Sequence, residues 1–135
     1  MVEATTCIAG ECPRHGDRTK GAIVKKLDII IRPHKLEEVR DALTAVGVQG
    51  VTVTETKGYG RQGGKTEMYR GNELSIAFNP KVLLEVLIPD TMLEQTVKAA
   101  SEAARTGRIG DGKILVTDVL EVMRIRTGEL GNAAI

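Results

Sequence analysis

Three short segments hold the residue types that grip anions. The first, Thr106-Gly107-Arg108-Ile109-Gly110-Asp111-Gly112-Lys113, puts three glycines within six positions and ends on a lysine. Glycine lets backbone N–H groups approach an anion closely, and the lysine adds a fixed positive charge at the same turn. The spacing is not that of a Walker A loop, and the Lys-Ser/Thr ending is missing. Taken alone, a tight turn ahead of a strand is the plainer reading. The second segment is Arg124-Ile125-Arg126. In an extended stretch both guanidiniums would point to one side and could clamp a polyphosphate through charge-assisted bonds. The plainer alternative is a solvated edge strand. The third, Gly58-Tyr59-Gly60-Arg61-Gln62-Gly63-Gly64, offers a pliable backbone, a cation and an amide. Each signal is weak alone. Together, two glycine-rich turns and a spaced arginine pair suggest an anionic nucleotide.

Covalent and metal chemistry find less support. Cys7, Cys12 and His15 form a C-x4-C-x2-H arrangement, three ligands where zinc normally needs four. Two nearby thiols could also pair as a disulfide, which depends on the redox compartment. The other histidine, His34, follows Pro33 and has no evident nucleophile or metal partner. Glu37 and Glu38 belong to the solvent face of a helix. Nothing here demands an enzyme.

The elements that must position these segments follow from periodicity. Leu27, Ile29 and Ile31 alternate along a buried strand that ends at Arg32-Pro33. Leu36, Val39, Leu43 and Val46 recur at helical spacing, and Gly47 stops that helix. Residues 51–56 are β-branched and alternating, a second strand. Residues 58–80 break the pattern as a long glycine-rich loop, a feature that is usually functional. Residues 82–88 read as a buried central strand. Asp90 is placed to cap a second helix, whose inner stripe is Leu93, Val97, Ala100 and Ala104. Residues 114–119 give a fourth strand, and 122–127 suggest a short extra one. Residues 1–24 lack any period and read as a mobile extension, leaving 25–135 as the domain. The order β-α-β-loop-β-α-β is the ferredoxin-like α+β arrangement, with both helices on one face of a four-stranded antiparallel sheet. Ile30, Val53 and Val86 suggest that the other face is apolar too, which calls for oligomerisation through it.

Composition sets the outer bounds. The 135 residues fit one domain, and 41% apolar content supports a core. Nineteen basic against 18 acidic residues give a net charge of +1, arguing against bulk nucleic-acid or membrane-surface binding. No apolar run approaches the roughly 20 residues of a membrane span, and residues 1–20 lack a signal-peptide pattern, so a cytoplasmic protein is expected. The three aromatics, Tyr59, Tyr69 and Phe78, share one window, which leaves the core aliphatic. Either chance gathered them or that window reaches out to a partner.

The ordered set of motifs resembles the PII nitrogen-regulatory signal-transduction family. The matching stretches are Lys26-Leu27-Asp28 through Arg32-Pro33, Val51-Thr52-Val53-Thr54-Glu55, Gly58-Tyr59-Gly60-Arg61-Gln62, Thr66-Glu67-Met68-Tyr69-Arg70-Gly71, residues 106–114 and Arg124-Ile125-Arg126-Thr127-Gly128-Glu129. The resemblance implies a compact homotrimer with ATP or ADP in the clefts between subunits. It implies that Ile30, Gly50, Thr52, Gly58, Tyr59, Gly60, Arg61, Gln62, Glu85 and Val86 line the nucleotide site. Gly110, Asp111, Gly112 and Lys113, with Arg124 and Arg126, would hold the phosphates. It further implies 2-oxoglutarate bound through Mg²⁺ and ATP, with Gln62 as a metal ligand and Lys81 and Gly110 as effector contacts. The 58–80 segment would be the T-loop, the output element. Tyr69 and Arg70 would meet partners, including an ammonium transporter that Arg70 would plug. Other implied partners are nitrogen-regulatory kinases, adenylyltransferases and metabolic enzymes.

Two departures from the family pattern stand out. Leu74 occupies the place of the uridylylated tyrosine and has no hydroxyl to modify. Tyr69 matches a different family tyrosine. Asn72 stands where some relatives carry a phosphorylated serine, and Ser75 is out of register. The Cys-containing extension is the second departure. The alternative reading is therefore a PII-like sensor of another metabolite, such as bicarbonate, in a specialised operon.

Overall fold

Aliphatic alternation builds the centre of the sheet. A computed structural model describes residues 23–60, 68–69, 72–73 and 78–135. Strand β1 (Val24–Ile31) is followed by a 3₁₀ turn at Pro33–Lys35 and helix α1 (Leu36–Ala45). Strand β2 (Thr52–Gly58) leads into the long segment. That segment carries a two-residue ladder, β3 (Met68–Tyr69) against β4 (Asn72–Glu73), which sequence pattern alone does not reveal. Strand β5 (Asn79–Pro89), a 3₁₀ turn (Asp90–Met92), helix α2 (Leu93–Ala104) and strand β6 (Lys113–Val119) complete the domain. The main sheet is antiparallel throughout, in the order β2-β5-β1-β6. This is the expected ferredoxin-like α+β fold. Cys7, Cys12, His15, Arg61, Gln62, Arg70, Leu74 and Ser75, with the roles expected of them, lie outside the described residues.

Strand parity decides what each face carries. Leu27, Ile29 and Ile31 pair with Val86, Leu84 and Val82, and all six are buried with Val39, Leu43, Ala100 and Ala104. That cluster is wholly aliphatic, as the grouping of the aromatics implied. The reading of an apolar second face is corrected here. Val86 is in phase with Leu84 and Ile88 and points into the core, at 1% exposure. Val53 pairs with Leu84, so it lies on the core side at the sheet's edge. Of the three residues named, only Ile30 faces the helix-free side. That side is mixed: Ile30, Leu83, Leu87 and Leu115 surround an ionic group of Lys26, Asp28 and Glu85.

Three further details refine the element boundaries. Gly47, at φ 99°, closes α1 with its N–H on Thr44 O and the Val48 N–H on Leu43 O, a Schellman ending. Asp90 does not cap α2, because a 3₁₀ turn precedes the helix. Its N–H donates to Ile23 O at 2.9 Å and its carboxylate lies 3.7 Å from Lys25 Nζ. Strand β5 absorbs two prolines. Pro80 pairs only with Lys57 on β2, and Pro89 only with Val24 on β1, so each falls where β5 has a single neighbour.

The extra strand expected at 122–127 is a hairpin turn instead. A single bridge joins Met123 to Leu130, and the Gly128 N–H closes on Arg124 O at 2.8 Å. Gly128, at φ 72°, permits that closure. A 3₁₀ turn at Gly131–Ala134 follows.

Candidate functional site

The two ends of the sheet carry two separate constellations. At one end, Gly50, Thr52, Glu85, Leu87 and Arg124 line a cleft of about 540 Å³, with Asn132 and Ile135 on its far wall. Glu85 is drawn to Lys26, whose Nζ lies 2.6 Å from Glu85 Oε1 and 3.1 Å from Asp28 Oδ1. The carboxylates of Glu85 and then Asp28 beside it raise the Lys26 pKa. The contact to Asp28 Oδ1 is off hydrogen-bond geometry, so that buried oxygen has no hydrogen-bond partner among the described residues.

At the other end, the 106–113 loop is tied down by its own aspartate. Asp111 Oδ2 accepts from the Thr106 N–H at 2.8 Å and the Gly107 N–H at 2.9 Å. Its Oδ1 accepts from Thr106 Oγ1 and, at 3.1 Å, from Arg32 Nε. These donors hold the Asp111 carboxyl well below the usual carboxylate range, the Thr106 hydroxyl contributing most. Arg32 Nη2 also donates to Ile109 O at 2.7 Å. Lys81 Nζ donates to Gly110 O. The Lys81 pKa is lowered, first by burial and then by the Arg32 charge, with Asp111 opposing. Among the described residues Asp111 is thus paired with Arg32, while Lys81 is in contact with a carbonyl and with no carboxylate. Ile30, Asp111, Gly112 and Lys113 border a pocket of about 340 Å³ beside it.

Gly58, Tyr59 and Gly60 root the long segment at this same end. A Cβ on Gly58 would lie 3.2 Å from the Lys81 stem. The Tyr59 and Phe78 rings meet edge-on, with centroids 6.3 Å apart at 75°, and both are exposed. They bracket the segment where it leaves and re-enters the sheet.

The expected site residues therefore divide. Gly50, Thr52, Glu85 and Arg124 gather at the first cleft. Ile30, Gly58, Tyr59, Gly60, Lys81 and Gly110 to Lys113 gather at the other end. From Thr52 to Gly58 along β2 is about 20 Å. Val86 sends its side chain into the core and offers a ligand only its backbone. Arg126 is exposed at the hairpin turn and does not share a strand face with Arg124. Arg32 and Leu87 escaped the reading of the sequence. Parity with Glu85 marks Leu87, whereas Arg32 gave no signal beyond ending its strand. Among the described residues no group of three His, Cys, Asp or Glu side chains could hold a metal, and no helix is long and apolar enough to cross a membrane.

Asp111→Asn removes the charge that the Thr106 and Gly107 donors hold. A carboxyl whose pKa is depressed on folding adds stability above its unfolded value, near 4, and loses it as pH falls toward the folded value. The variant is expected to be less stable than the parent at pH 7. The gap should stay level above about pH 5 and close below about pH 4. Urea titrations across that range check it, and a pH-independent gap would assign the loss to shape alone.

An aliphatic split-βαβ domain with one ligand-sized cleft beside Glu85 and a second pocket between α2 and the start of β6 defines a small binding module. The sequence model of the family "Nitrogen regulatory protein P-II" matches residues 24–129. The P-II protein of Azospirillum brasilense is 57% identical over 112 residues, which cover 83% of this chain and all of that protein. P-II protein 1 of Escherichia coli K12 is 54% identical over the same shares. A crystal structure of Arabidopsis thaliana PII bound to citrate superposes with a TM-score of 0.70 at 35% identity, covering 84% of this chain and 94% of that one. The chain belongs to the P-II family, whose members are nitrogen-regulatory signal-transduction proteins and not enzymes. Family members are trimeric and bind nucleotides, small effectors and protein partners.

Proposed function

We propose that this chain is a cytoplasmic homotrimeric sensor that takes ATP or ADP between subunits and reads 2-oxoglutarate with Mg²⁺. The observation that carries the proposal is the division of the anion-binding residues between the two ends of the sheet. Within one copy the two groups line different pockets, and an adjacent copy would bring the second group to the first. The cleft with Glu85 and Arg124 on one protomer would face the Lys113 loop of its neighbour. A Cβ at Gly112 would fall 1.7 Å from Ile30 O, so only glycine permits the close backbone approach that a phosphate cradle uses.

The effector reading rests on charge. Among the described residues Arg32 and Lys81 outnumber Asp111, and a dicarboxylate would restore the balance. The citrate bound to the Arabidopsis neighbour fits a carboxylate ligand. Gln62 would offer an amide oxygen, a donor suited to Mg²⁺. Bound Mg²⁺ would neutralise phosphate charge and link nucleotide to effector. Ligands that bind one loop state better shift the population that partners meet. Output would pass through residues 58–80, with Tyr69 and Arg70 toward an ammonium transporter or another nitrogen-metabolism partner.

Calorimetry with ATP, ADP and 2-oxoglutarate plus Mg²⁺ tests this, beside sedimentation of the purified protein. Nucleotide heat and a trimer are expected, with 2-oxoglutarate heat only when ATP is present. A monomer without nucleotide heat rejects the reading. Heat with bicarbonate but none with 2-oxoglutarate would move the protein to the alternative effector class.

A further inference from the structure

We propose that Glu129 is a positioning residue that holds the Arg124 guanidinium at the first cleft, its spare donors set for a phosphate. The inference rests on the nucleotide reading above. The hairpin supplies the geometry. The Arg124 N–H donates to Glu129 O at 2.9 Å, which fixes the two residues opposite one another. Arg124 Nη1 then donates to Glu129 Oε2 at 2.8 Å. The same oxygen accepts from Thr127 Oγ1 at 2.8 Å, so the carboxylate is itself held. On the other side, Arg124 Nη2 reaches Ile135 O at 3.4 Å. A guanidinium has five N–H donors. Two are used here, and three have no partner among the described residues. The side chain borders the cleft while half-buried, its rotamer already chosen.

Such prior ordering removes part of the cost of immobilising a long side chain on binding. The opposite effect has the opposite sign. Were Glu129 only a negative charge near the phosphates, its removal would tighten binding. Positioning requires that removal weaken it.

The test is calorimetry of the full chain with ATP-Mg²⁺ and with adenosine. Glu129→Ala is expected to weaken ATP by about three- to tenfold and adenosine much less. Glu129→Gln keeps an acceptor for Arg124 and should recover most of the loss. In an Arg124→Ala background, Glu129→Ala should change nothing further. Tighter or unchanged ATP binding by Glu129→Ala overturns the proposal, as does equal weakening of adenosine or an undiminished effect without Arg124. If the parent protein takes up no nucleotide, the nucleotide reading fails and this inference falls with it. A parent that binds, with variants of the wrong sign, rejects the positioning role alone.

Discussion

Gly112→Ala is expected to destabilise the protein by at least about 3 kcal/mol and to abolish nucleotide binding. Two effects add at this position. The backbone sits at φ 102°, where an L side chain is strained by about 1–2 kcal/mol. The added Cβ would also lie 1.7 Å from Ile30 O and 2.7 Å from Ile30 C. Those atoms cannot retreat, because Ile30 is paired with Leu83 on one side and Lys113 on the other. Relief must come from displacing the loop, which pulls against the Asp111, Arg32 and Lys81 contacts. The control is Gly107→Ala, at φ 83° with nothing within 4 Å of its Cβ, which carries only the conformational strain. Thermal melts should separate them, with a drop of about 12 °C or more for Gly112→Ala. Equal, mild losses would show that the loop yields freely and that Gly112 sets no close approach.

The fold was legible where a single rule governs. Alternation located β1, a run of apolar residues located the centre of β5, and helical spacing located α1 and its stop at Gly47. Legibility failed where two rules compete. Asn79 and Pro80 look like loop, yet a neighbour on one side only makes them strand. Asp90 looks like a cap, yet a 3₁₀ turn and Lys25 claim it. Assigning Val86 to the second sheet face failed by one step of parity, the difference between lining a ligand and filling the core. The candidate site was legible as residue types, but its most connected member was not. Arg32 binds the 106–113 loop through Asp111 and Ile109, and that role depends on a contact across 79 positions of sequence. No local pattern encodes such a contact.

That same polar corner links the glycine loop to the root of the long segment. Lys81 holds Gly110 O and packs against Gly58, where the long segment begins. An anion arriving beside Lys81 competes with the carbonyl for its ammonium and stabilises its charged form. Gly110 and Gly58 would both feel the rearrangement. A ligand bound there would have a short physical route to residues 58–80, through one side chain rather than through a long path.

The arginine pair separates into unequal members, which sets the second large effect. Read as a strand, Arg124 and Arg126 would contribute alike. In the hairpin, Arg124 borders the cleft under the hold of Glu129, while Arg126 projects into solvent beside Ile125, which is 97% exposed. Arg124→Ala is expected to weaken ATP by ten- to about a hundredfold, the loss of one charge-assisted contact of about 1.5–3 kcal/mol. Arg124→Lys should recover only part, because an ammonium keeps the charge without the fork. Arg126→Ala should cost less than Arg124→Ala, since its side chain must be ordered at the moment of binding. Raising the salt concentration should reduce its contribution further, because exposed charges are screened first. Titrations of the three variants at two ionic strengths decide the matter. Equal losses at both arginines would mean that assembly rebuilds the hairpin into the extended clamp, and the cleft seen in one copy would not be the bound form.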